Sequence, residues 1–245
     1  MKLPFELLLQ GVPVSSRRGA LGWCNVALVR TGGANILFDT GSHGDRRALL
    51  EALAGHGLKP GDISFIFASH FHFDHIINAE IFHCPILLSA EERDYVDSKA
   101  YLESGDPFVP HCLMAYLADR IVTVTEGQEI LPGVKVMVLP GHTPGTAGLL
   151  LEHEGVLLAG DSIKNAWDFV RNEPPPAFFS SATAPANYAR VRERAETVLP
   201  GHDRPFRIHP DGSVRSIGQQ EVIIDSYADP ARAPWPVSLC TEPVR

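Results

Sequence analysis

Apolar positions along this chain switch repeatedly between a period of two and a period near three and a half, which predicts short strands alternating with amphipathic helices. Residues 4–12 and 23–30 (WCNVALVR) read as strands, and Gly32-Gly33 turns the second of these into a third at 35–38. Leu49, Leu50, Leu53 and His56 recur at helical spacing, so 44–56 reads as a helix that ends near Gly57. The run at 63–68 (ISFIFA) is apolar almost throughout, the pattern of a strand covered on both faces. A strand at 85–89 (PILLS) and a helix at 90–102 follow.

The second half is richer in strands. Stretches 121–124, 134–139, 148–151 and 155–159 are β-branched or Leu-rich and are separated by Gly and Pro. Residues 185–197 read as a helix with a mixed Arg/Glu face, a solvated surface rather than a binding patch. A last strand at 197–199 leads to Gly201. From 218 the Pro-rich tail reads as irregular, packing on the domain or on a neighbouring subunit, so the division is a domain over 1–217 and a tail over 218–245. Strands and helices interspersed throughout indicate a layered α/β architecture; periodicity alone does not separate a doubly wound sheet from a sandwich of two sheets.

Composition narrows the class. With 245 residues, 44% apolar and 20% charged, the chain has ordinary globular usage and enough length for a substantial core. A net charge of −8 argues against nucleic acid as a partner, since binding phosphates needs a basic face. No apolar run approaches the roughly 18 residues that would span a bilayer, and no signal-peptide pattern opens the chain, so a cytoplasmic protein without a membrane partner is expected. The four cysteines (Cys24, Cys84, Cys112, Cys240) are far apart and read as buried free thiols.

Candidate chemistry concentrates at SHFHFDH (69–75), directly after the buried strand at 63–68. It sets His70, His72, Asp74 and His75 within six residues, on a loop able to turn alternate side chains to one side. Imidazole and carboxylate are ligand types that zinc accepts. At this chain's His and Asp frequencies, an HxHxDH match arises by chance in roughly one such chain in a thousand, so the motif carries weight that a lone histidine would not.

HxHxDH after a strand resembles the signature of the metallo-β-lactamase superfamily, and further pieces follow in that family's order. His142 in LPGHTPG (139–145) resembles the third ligand loop, Asp161 in LLAGDS (157–162) the aspartate between two metals, and His202 in LPGHDRPF (199–206) the final histidine. LFDTG (37–41) is similar to the early strand and turn whose aspartate, here Asp39, supports a ligand from behind. The resemblance spans roughly residues 20 to 208. It implies an αββα four-layer sandwich of two mixed β-sheets with outer helices. It also implies two divalent metal ions, zinc first with iron or manganese as alternatives. Metal one would take His70, His72 and His142, metal two Asp74, His75 and His202, and Asp161 would bridge them. His43, His56, His83, His111, His153 and His209 match no ligand position.

The implied activity is metal-dependent hydrolysis of a small carbonyl substrate (a lactone, thioester or ester). The pair lowers the pKa of a bridging water toward about 7, and Asp74 serves both as ligand and as proton relay. No other cofactor is expected. A glyoxalase II-like or lactonase-like single-domain member fits this pattern, although Asn165, Trp167 and Phe169 stand where lactonases of the family carry a tyrosine. The alternatives are a phosphodiesterase or nuclease, and an iron-dependent oxygen or persulfide enzyme of the same fold. Trp167, Phe169, Phe178 and Phe179 are candidate pocket walls. Segment 105–117 is a candidate lid that would bring Phe108 and Met114 over the metals, and a homodimer is allowed.

Overall fold

The computed structural model describes residues 3–17, 19–173, 177–218, 220–226 and 235–241, with backbone alone in the last two stretches and at 15, 16 and 20. Two mixed sheets dominate it. The first half supplies β1 (Phe5–Leu9), a short pair β2 (Ser15–Ser16) and β3 (Gly19–Ala20), β4 (Val26–Thr31), β5 (Ala34–Phe38), β6 (Phe65–Phe67), β7 (Ile86–Ser89) and β8 (Ile121–Val124). β1, β4, β5, β6, β7 and β8 lie side by side in that order. The pairings are antiparallel up to β5 and parallel beyond it. The second sheet takes β9 (Glu129–Leu131), β10 (Val134–Val138), β11 (Ala147–Leu151), β12 (Val156–Gly160), β13 (Thr197–Pro200), β14 (Phe206–Ile208) and β15 (Val214–Ser216). All its pairings are antiparallel except β12 with β13.

The period-two pattern explains how the layers stack. Ala27, Val29, Ile36, Phe38 and Phe67 face inward and meet Val136, Val138, Leu149, Leu158 and Leu199 of the other sheet. Their neighbours Leu28, Leu37, Ile66, Ile86 and Leu88 face outward, under Leu49 and Leu53 of α1 (Arg46–Gly55) and Tyr95 and Val96 of α3 (Ala90–Asp97). On the far side, Leu150, Leu157, Ala159 and Val198 pack beneath Phe169 of α6 (Ala166–Arg171) and Tyr188 and Val191 of α7 (Ala184–Arg194). The central strands are therefore apolar on both faces, which is why 63–68 reads as one continuous run. At roughly 1.5–3 kcal/mol per fully buried aliphatic or aromatic side chain, these three cores are what hold the αββα sandwich together. No helix among the described residues is long and apolar enough to cross a membrane.

Several expectations are corrected. The helix foreseen over 90–102 breaks at Lys99, whose φ of 62° is left-handed, and restarts as α4 (Ala100–Glu103). Within the candidate lid, 111–117 is a helix, α5 (His111–Leu117), whose Met114 and Leu117 are buried in the core rather than over a site. The tail expected from 218 to be irregular holds two strands: β16 (Gln220–Ser226) and β17 (Trp235–Thr241) form an antiparallel pair, rich in Val, Ile and Leu that the prolines obscured. Cys24 and Cys84 are buried free thiols, but Cys112 is exposed; the side chain of Cys240 lies outside the described residues.

Leu149, fully buried where the sheets meet, tests this reading of the core. Leu149→Ala is expected to cost about 2–5 kcal/mol in urea unfolding with an unchanged slope, while the metal content of the protein stays that of the parent.

Candidate metal centre

Every proposed ligand follows a strand end, and the local chain explains how each is aimed. At the end of β5, Asp39 adopts a left-handed φ of 57°, which a short polar side chain tolerates. Its carboxylate accepts from the Ser69 N–H (2.7 Å) and hydroxyl (2.8 Å) and lies 2.8 Å from His75 Nδ1. The loop after β6 is thereby fastened to its neighbour, and His75, in the single turn of α2 (Phe73–Ile76), presents Nε2 to the interior. His202 donates Nδ1–H to the Trp23 carbonyl at 2.9 Å, which also leaves Nε2 facing in. A Cβ at Gly201 would overlap Asp161 Oδ1 and the Gly160 backbone, so only glycine lets this strand end pass the carboxylate.

The structure brings all seven predicted residues together. His70, His72 and His142 form one group whose ligand atoms lie within 4.8 Å of one another; Asp74, His75 and His202 form a second, and His70, His75 and Asp161 overlap both. Asp161 spans them. Its Oδ1 lies 3.3 Å from His75 Nε2 and 3.1 Å from His202 Nε2, and its Oδ2 is 3.4 Å from His142 Nε2. Asp74 Oδ2 stands 3.6 Å from His202 Nε2 and 3.8 Å from His75 Nε2. Four of these buried atoms, His70 Nε2, His75 Nε2, His202 Nε2 and Asp161 Oδ1, have no hydrogen-bond partner. Nδ1 of His72 and Nε2 of His142 face each other at 3.0 Å. Converging buried nitrogen and oxygen atoms, four of them without a partner, are what a cation would satisfy. Asp39 supports His75 as expected, and none of the other six histidines joins these groups.

Charge follows the same arrangement. Burial, reinforced by His75, His72 and His142, holds His70 well below the usual imidazole range, so its Nε2 lone pair stays free. Although burial opposes it, His202, Lys164 and His75 keep the Asp161 carboxyl well below the ordinary range. Burial likewise pulls Lys164 down, but the Asp161 carboxylate 3.1 Å away outweighs it and holds the ammonium charged. The Cys24 thiol, pushed up to about 12 chiefly by burial, remains a donor to the Asp74 carbonyl at 3.0 Å rather than a thiolate ligand.

Sequence reasoning missed several residues that shape the site. Asn25 holds the His202 loop, donating to the carbonyls of Pro200 and Asp203 (both 2.6 Å). Glu92 is wholly buried on α3 and accepts from the Phe71 N–H (2.9 Å), the Thr143 hydroxyl (2.6 Å) and the Gly145 N–H (3.1 Å). One carboxylate therefore ties the His70–His72 loop to the His142 loop; SxxE at 89–92, an N-cap signature, was its only trace in the sequence. Asp106 lies 2.7 Å from His72 Nε2. Of the candidate wall aromatics, Phe178 does stand against His72 and His142, with ring centroids 5.6 and 5.9 Å away. Phe169 is instead core, packed on Tyr188 and Phe206, while Trp167 and Phe179 are exposed.

The family model of the metallo-beta-lactamase superfamily matches residues 21–83, the stretch that holds LFDTG and HxHxDH. Metallo-beta-lactamase domain-containing protein 1 of Rattus norvegicus is 31% identical over 206 residues, covering 79% of this chain and 72% of the relative. This chain belongs to the metallo-beta-lactamase superfamily. The human form of that protein is 29% identical, covering 86% of this chain and 77% of its own length. An N-acyl homoserine lactonase of a Bacillus species is 33% identical over 60% of this chain and 58% of its own. Among solved structures, a dizinc quorum-quenching lactonase with bound product superposes with a TM-score of 0.63 at 20% identity, over 80% of this chain and 79% of its own. The superfamily fold accounts for both sheets and their outer helices.

Glu92→Gln keeps the shape of that buried tie but turns an amide NH2 toward one of its donors. A loss of about 1–3 kcal/mol in unfolding free energy is expected, and parent-like stability would remove the tie from the account.

Proposed function

We propose that this chain is a hydrolase that uses two divalent metal ions, zinc first, to open a small and largely apolar carbonyl compound, a lactone before an ester or thioester. The observation that carries this reading is the convergence of His70 Nε2, His75 Nε2, His202 Nε2 and Asp161 Oδ1, buried and without partners. His70, His72 and His142 would hold one ion, Asp74, His75 and His202 the other, with Asp161 between. The lactonase relatives and the dizinc neighbour support both the metal and the substrate class. A pair of such ions supplies a nucleophilic water at neutral pH and Lewis-acid polarisation of a carbonyl.

The chain's own residues divide the remaining work. Asp74 faces both His75 and His202 and keeps a little solvent exposure, so its carboxylate can hold a proton during ring opening. Lys164, beside Asp161 and a quarter exposed, offers a charged N–H to an anionic oxygen of the substrate. Phe108 and Phe178, 5.5 Å apart and both against His72, give the site an apolar side that suits an acyl chain and shields the centre from water. The ligand groups, the charge of −8 and this apolar side favour a small neutral substrate over a polyanion.

Two measurements test the reading together. Elemental analysis of metal-replete protein should give two zinc ions per chain, with Asp161→Ala losing from both sites and His202→Ala chiefly from one. Turnover at that loading should be found on an N-acyl lactone or a thioester. Cleavage of single-stranded RNA or a phosphodiester, with no activity on either carbonyl class, would overturn the substrate assignment, and full zinc content in Asp161→Ala would overturn the bridge.

A further inference from the structure

Residues 105–110 reach the metal centre through an arrangement that the ligand set alone does not require. Asp106 is buried, and its Oδ2 lies 2.7 Å from His72 Nε2 and accepts from the Tyr95 hydroxyl at 3.1 Å. Its Oδ1 accepts from the Phe108 N–H at 2.9 Å, and its own N–H donates to the Tyr101 carbonyl at 2.9 Å. The Phe108 carbonyl in turn receives the Phe73 N–H at 3.0 Å, from the residue next to His72. Between these ties the Phe108 ring sits against His72 (5.6 Å), Phe178 (5.5 Å) and Phe73 (6.1 Å).

We propose that Asp106 is a positioning residue that couples the inward face of His72 to the aromatic wall built on Phe108, so that filling the metal centre and ordering the wall strengthen each other. The chemistry lies in the two ring nitrogens. A carboxylate at Nε2 selects the tautomer protonated there, which leaves the Nδ1 lone pair aimed at His142 and the centre. Conversely, a cation on Nδ1 confines the proton to Nε2 and makes the bond to Asp106 obligatory and charge-assisted. Because Asp106 also holds the Phe108 N–H, that bond fixes the segment carrying the wall. Such linkage is reciprocal: what tightens the wall must raise metal affinity by the same factor. The inference rests on the metal reading above, and its test keeps the two separate.

Zinc affinity is measured by competition with a chromophoric chelator on the full chain. Amide hydrogen exchange at Phe73 and Phe108 is followed with and without zinc. In the parent protein, zinc should bind and slow exchange at both amides. Asp106→Ala should lower the affinity of one zinc roughly 10- to 100-fold and abolish the zinc-dependent slowing, the range typical for loss of a group that orients a ligand. Asp106→Asn, which keeps an acceptor oxygen without its charge, should fall between the two and decides the matter if the alanine variant does not fold. A purely structural role would lower stability without touching the zinc-dependent difference. Parent-like zinc affinity in a folded variant, or slowing that persists, overturns the coupling. Failure of the parent to bind zinc overturns the metal reading instead.

Discussion

Buried nitrogen and oxygen atoms with no partner of their own are the constraint around which this molecule is arranged. His70, His75, His202 and Asp161 each bury such an atom, at a cost of roughly 1–3 kcal/mol apiece, and the total is comparable to the whole stability of an ordinary domain. The chain tolerates this because everything behind those atoms is fully satisfied. Asp39 meets His75 and Ser69, the Trp23 carbonyl meets His202, and Glu92 closes three donors from two loops. The sandwich supplies the rigidity, since the strand ends carrying these residues are set by cores on both faces of both sheets. Under the metal reading, the ions are as much a part of the fold as of the chemistry.

The seven residues that the structure brings together could be picked out of the sequence, the first four because metal chemistry admits few residue types at few spacings and the last three through the family resemblance. HxHxDH is local and dense, and His142, Asp161 and His202 each stand beside a Gly-containing turn that closes a strand. Most strands were legible as well, since runs apolar on two faces leave a continuous signal, while their division into two sheets came from the family resemblance. What escaped was nonlocal. Glu92 and Asp106 are ordinary acidic residues on a helix and a loop, and only the crossing of 20 to 50 residues of chain brings them to Phe71, His72 and Thr143.

Aromatic residues show the same limit from the other side. Phe169 and Phe178 lie nine positions apart in one segment, yet one closes the core under α6 and the other stands against His72. Hydrophobicity fixes that such a side chain avoids water, not which apolar surface receives it. The tail misled for a different reason, since its prolines suggested irregular chain although two of its segments pair as strands. An edge or paired strand tolerates proline where its N–H is not needed.

The contact between Gly201 and Asp161 bears on how such a scaffold can change. With no room for a Cβ at 201, the strand end behind the central carboxylate accepts no variation without moving the carboxylate itself. Segments 105–110 and 177–180 approach from the open side, and Phe108 and Phe178 touch His72 without being strand ends. Variation of the apolar side would therefore fall on two short stretches of chain, so a library randomised around Phe108 and Phe178, with Asp106 kept, could reshape it while the rest of the sandwich stayed fixed.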